Sequence, residues 1–105
     1  MNIQEKIEYI ADYYGWESQS RQLIEEMAEL TVALNKLWRK HEYRETDKEK
    51  EKACKAVVEE LADVTIMTKQ LIYLLGSEDE IDKIARTKLN RQIRRIWKEN
   101  SAKED

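Results

Sequence analysis

The sequence predicts an all-α fold, a four-helix bundle, and three observations lead there. The chain of 105 residues has no proline, two glycines and no phenylalanine, with 39% charged and 41% hydrophobic residues. Such a composition suits long amphipathic helices better than sheets or disorder. Apolar residues recur at spacings of three and four, and capping or stop signals fall between the periodic stretches. The length fits a single domain, 1–105, with a flexible tail from about 99. A chain this small buries a modest core, so oligomerisation is expected to complete the bundle.

Ile3, Ile7, Ile10 and Tyr14 lie on one helical face, and Gly15 is the expected stop, taking a left-handed conformation after the last turn. Ser18 or Ser20 is placed to cap a second helix, whose stripe is Leu23, Met27, Leu30, Leu34 and Leu37. That helix is expected to end near residues 39–41. The connector HEYRETDKEKE has no apolar period. Within it Thr46 and Glu49 fit a capping box, starting a third helix at Asp47 that runs to about Leu75, with Gly76 after it. The later part of this helix, LADVTIMTKQLIYLL, is apolar nearly all round, and such a helix is buried on more than one side. Ser77 and Glu80 form another capping-box pattern, opening a fourth helix that is expected to reach about Lys98. Ala85, Leu89, Gln92 and Ile96 make its stripe, and Lys88, Arg91 and Arg95 share the adjoining face.

The formal charge of −3 argues against general nucleic-acid binding, which needs several phosphates neutralised. Cys54 is alone, so no intrachain disulfide is possible. No apolar run approaches the roughly 20 residues of a membrane span, and the N-terminus lacks a signal-peptide pattern. The expectation is a soluble, cytoplasmic protein without a membrane or nucleic-acid polymer as partner.

Chemistry concentrates in LIEEMAELTVAL, 23–34, and EELADVTI, 59–66. Helix residues three apart have Cβ atoms roughly 5–6 Å from each other, so Glu26 can converge with Glu29, and Glu60 with Asp63. Two such helices side by side bring four carboxylates together. Like charges about 4 Å apart repel by about 4 kcal/mol at an effective dielectric of about 20, so the cluster calls for a cation. All-oxygen ligation suits Mg²⁺, Mn²⁺ or Ca²⁺ rather than zinc or copper. A carboxylate-bridged di-iron bundle would need Glu-x-x-His pairs, and neither acidic stretch contains histidine. His41 is expected at the surface and Cys54 as a small packing residue.

EEMAE at 25–29 followed by ELAD at 60–63 resembles the EExxE then ExxD signature of the MazG-like, all-α nucleoside triphosphate pyrophosphohydrolases. The resemblance spans about Gln19 to Arg95. It implies Mg²⁺-dependent cleavage of a nucleoside triphosphate between the α and β phosphates, by a homodimer or homotetramer. Carried over by position, Glu26, Glu29, Glu60 and Asp63 would hold Mg²⁺, or Mn²⁺ in its place, and Glu25 would assist a second ion or orient water. Glu25 and Glu26 are the catalytic candidates. Lys88, Arg91 and Arg95 are candidates for the phosphates. Family members often carry a Lys with an Asn four residues on, where this chain has Lys88 and Gln92. Gln19 and Gln22, one and two turns before the acidic motif, are candidate base or ribose contacts. Trp16, Trp38, Tyr73 and Trp97 could stack on a base, but such aromatics more often pack. The rival interpretation is a non-catalytic helical interaction or regulatory module with an acidic face.

Overall fold

The computed structural model describes residues 1–104, and among them the chain is all-α without a strand. Three helices follow one another: α1 over Ile3–Glu42, α2 over Asp47–Leu75 and α3 over Glu78–Glu104. Asn2 caps α1 with a complete capping box. Its side-chain oxygen accepts from the Glu5 N–H at 2.8 Å, and the Glu5 carboxylate accepts from the Asn2 N–H at 3.1 Å.

Two helices were expected where α1 runs as one, interrupted at Gly15. Its φ of 83° is positive as the sequence predicts, but its ψ of 171° is extended rather than left-handed helical. Essentially only glycine occupies that region. The residue therefore bends the helix, which resumes at once, instead of ending it. Neither expected cap is used as one: the Ser18 hydroxyl donates to Gln19 Oε1 and the Ser20 hydroxyl to the Glu17 carbonyl.

The α1–α2 connection follows the sequence more closely. The Tyr43 N–H donates to the Arg39 carbonyl and the Glu45 N–H to the Lys40 carbonyl. Arg44 turns the chain with a φ of 51°. Thr46 Oγ1 accepts from the Glu49 N–H at 3.2 Å, and Asp47 and Glu49 place negative charge at the positive end of α2. Gly76, φ 61°, follows α2 as expected. Before α3 the Ile81 N–H donates to the Ser77 carbonyl, but the Ser77 hydroxyl is buried without a partner, so the expected side-chain cap is not made. α3 continues past Lys98 to Glu104; of the tail, residue 105 lies outside the described residues.

Met1–Leu75 forms one compact unit and the chain from Gly76 a second. In the first, α1 and α2 pack antiparallel. Asp12 meets Tyr73, Gln19 meets Gln70 and Lys40 meets Glu49, so each advance along α1 is matched by a step back along α2. The seam between them buries Ile7, Ala11, Ala33, Ala53, Val57 and Met67. Three of these six are alanines, whose short side chains let the helix axes approach closely. The expected apolar stripes are only partly covered. Ile3, Met27, Leu34 and Leu61 remain exposed, because one helix packed on one other shields only a narrow face of each. In the second unit every side chain from Glu78 to Lys103 is exposed. No described helix is long and apolar enough to cross a membrane.

Candidate metal centre

Antiparallel packing carries the two acidic stretches to the same level of the hairpin. Glu26 on α1 and Glu60 and Asp63 on α2 each present a carboxylate oxygen within 4.8 Å of the others. Around Mg²⁺ at about 2.1 Å, opposite oxygens stand about 4.2 Å apart and adjacent ones about 3.0 Å, so the three side chains would have to rotate inward to close around such an ion. Glu26 and Glu60 are half-buried and Asp63 is exposed, leaving one side of the cluster open to solvent.

Among the described residues one donor from outside the cluster reaches it. Gln22 Nε2 donates to Glu26 Oε1 at 2.9 Å, while Glu26 Oε2 is buried and unpartnered. Glu60 Oε2 is also buried and unpartnered. Buried polar atoms are normally paired, and a buried carboxylate oxygen without a donor is costly. The Glu60 carboxyl is pushed above its ordinary value by burial first, then by the charges of Glu29, Glu26 and Asp63, and by a side-chain hydrogen bond to the Glu26 carboxyl. Every cause favours the protonated form, and the charge of a bound cation would offset them. The donor set consists of hard oxygens and fits Mg²⁺ or Mn²⁺.

The other candidates are distributed as follows. Glu29 lies outside the group of three, although its charge acts on Glu60. Glu25 is exposed. Gln22 is a hydrogen-bond partner of Glu26. Gln19 is 6% exposed, and its Nε2 donates at 2.6 Å to Oε1 of Gln70, which is 1% exposed. This amide pair ties α1 to α2 two turns from the carboxylates. Lys88, Arg91 and Arg95 are exposed on α3, where Lys88 and Arg91 border one shallow hollow with Lys83, Ile84 and Thr87. Trp16, Trp38 and Trp97 are exposed, and the Tyr73 hydroxyl donates to Asp12 at 2.8 Å.

Sequence reasoning missed a hollow of about 390 Å³ beside the carboxylates. Ala28, Val32, Ala33 and Ala56 wall it, and Glu29, Glu60 and Lys36 carry its charges. Its only sequence signal is Lys36 standing seven residues after Glu29, two turns along the same face. Comparison with family models, curated proteins and solved structures finds no match to this chain.

Proposed function

We propose that the protein is a Mg²⁺- or Mn²⁺-dependent nucleoside triphosphate pyrophosphohydrolase, converting a (d)NTP and water to a (d)NMP and pyrophosphate. On this reading the chain is a cytoplasmic MazG-like domain whose four-helix bundle is completed in a homodimer or homotetramer. The observation that carries it is the pair of buried, unpartnered oxygens, Glu26 Oε2 and Glu60 Oε2, converging with Asp63. A solvated acidic face has no reason to bury carboxylate oxygens without donors.

Glu26, Glu60 and Asp63 would hold the cation, with Glu29 beside them. A bound ion would supply positive charge against the charge developing on the leaving pyrophosphate and would make the attacking water easier to deprotonate. Exposed Glu25, one residue before Glu26, is available to orient the attacking water and accept its proton. The water oxygen bonds to the α phosphorus as the bond from that phosphorus to the bridging oxygen breaks, and the electron pair leaves with pyrophosphate. No Ser, Cys or His nucleophile is required. Lys88, Arg91 and Arg95 are assigned to the phosphates from their shared helical face alone, and Arg suits that role through its planar fork of donors.

Pyrophosphate release from a panel of (d)NTPs tests the proposal. Wild type should turn over in Mg²⁺ and not in EDTA, and Glu60→Gln should lose about 100-fold or more, the upper range for disturbing a metal site. Equal rates without metal, or in the variant, would rule the mechanism out.

A further inference from the structure

We propose that the hollow beside the carboxylates receives the nucleobase of the substrate, and that Lys36 selects bases with a keto oxygen on the edge remote from the sugar. Uracil, thymine and guanine are such bases; cytosine and adenine carry an amino group at that edge. This inference rests on the pyrophosphohydrolase reading and specifies its substrate class.

Size and shape come first. The hollow is shallow and open to solvent, and its volume of about 390 Å³ is enough for one flat ring, at the low end of the roughly 300–1,000 Å³ of small-molecule sites. Its walls are the methyl groups of three alanines and the side chain of Val32, a low apolar surface against which a flat ring can lie. Its charged lining residues are Glu29, Glu60 and Lys36.

Direction follows from charge. Glu29 and Glu60 border the hollow at the carboxylate end, and Lys36 stands about 10.5 Å farther along α1 by helical rise. A nucleotide whose phosphates are held at the carboxylate-bound cation has its sugar there too. Its base then extends into the hollow with the edge opposite the glycosidic bond facing Lys36. Lys36 is exposed and forms no ion pair with any described residue, so its ammonium is available. Arg39, Lys40 and Glu45 line a neighbouring hollow with it, where Lys40 is paired with Glu49 and Arg39 forms no ion pair with any described residue.

Chemistry then discriminates. An ammonium offers three donors and no acceptor. A keto oxygen accepts from it, whereas an amino group meets it donor to donor and gains no such bond, so each stays hydrated instead.

The test is kcat/KM for Mg²⁺-dependent pyrophosphate release from dUTP, dTTP, dGTP, dCTP and dATP, using wild type, Lys36→Met and Lys36→Arg. Wild type should favour the keto group by about tenfold or more, the scale of one charge-assisted hydrogen bond. Lys36→Met should bring the keto-to-amino ratio toward one, and Lys36→Arg should retain most of it. Both substitutions are at an exposed helical position suited to good helix formers, and thermal melts confirm that the variants fold. Mg²⁺-dependent release that ignores the base, or a ratio unchanged in Lys36→Met, would overturn this inference and leave the pyrophosphohydrolase reading standing. No Mg²⁺-dependent release from any nucleotide would overturn both.

Discussion

Glu60 sits where burial and three neighbouring carboxylates all oppose its charge. Its carboxyl is raised above the ordinary 4.5, so between that value and the raised one the folded chain binds more protons than the unfolded chain. Stability therefore falls as pH rises through this window, and the metal-free protein carries the penalty once the carboxyl is ionised. Glu60→Gln removes the charge and keeps most of the shape. In EDTA at pH 7 the variant should melt above wild type, and the gap should shrink toward pH 4.5. Saturating Mg²⁺ should invert the order, because an ion that binds only the native state stabilises by mass action and the variant lacks a ligand. Thermal melts across pH, with EDTA and with Mg²⁺, check this; a variant melting below wild type in EDTA at pH 7 would contradict the strained-cluster interpretation. Part of the convergence was legible in the sequence: three-residue spacing places Glu60 and Asp63 on one face, whereas Glu29, expected beside Glu26 by the same spacing, lies outside the group of three. Lys36 was not legible, since its significance depends on alanines, and the space left by small side chains has no motif.

Helices show the same division between local signals and tertiary context. The start of α2 at Asp47 and its end before Gly76 were legible because Thr46 and Gly76 act through backbone chemistry within a turn. Gly15 was half legible. A positive φ follows from its identity, but whether the chain then departs or resumes as helix depends on contacts made far along the sequence. Here Asp12 to Tyr73 and Gln19 to Gln70 bracket the bend and hold both sides of α1 on α2. Gly15→Ala separates conformation from packing, because an added Cβ meets nothing within 4 Å. The expected loss is about 1–3 kcal/mol, the usual scale of a residue held in a sparsely populated backbone region. Urea unfolding measures it. A neutral or stabilising outcome would mean that α1 straightens without cost and that the kink is not needed for the α1–α2 seam.

At the scale of the whole molecule, the amount of apolar surface left uncovered decides what the chain needs. Within the compact unit Met1–Leu75, Ile24, Met27, Val32, Leu34 and Ile66 lie open to solvent, more apolar surface than one helix packed on one other can cover. Val58 and Leu61 lie three residues apart and are both exposed, and Leu61 opens the stretch of α2 that the sequence marks as needing cover on more than one side. In α3, Leu89 and Trp97 are also uncovered. The proposed homodimer or homotetramer would shield such surfaces with copies of themselves, as closed symmetry allows. Sedimentation at micromolar concentration should then give a mass at least twice that of the chain. Val58→Glu distinguishes this from a stable monomer. On a monomer, a charge at an already exposed helical position changes stability by no more than about 0.5 kcal/mol. In an oligomer, it places an unpaired charge in an apolar interface, lowering the sedimenting mass and making the melting temperature fall with dilution. A wild type that sediments as a single chain, with Val58→Glu melting alongside it, would remove the oligomer from the proposal.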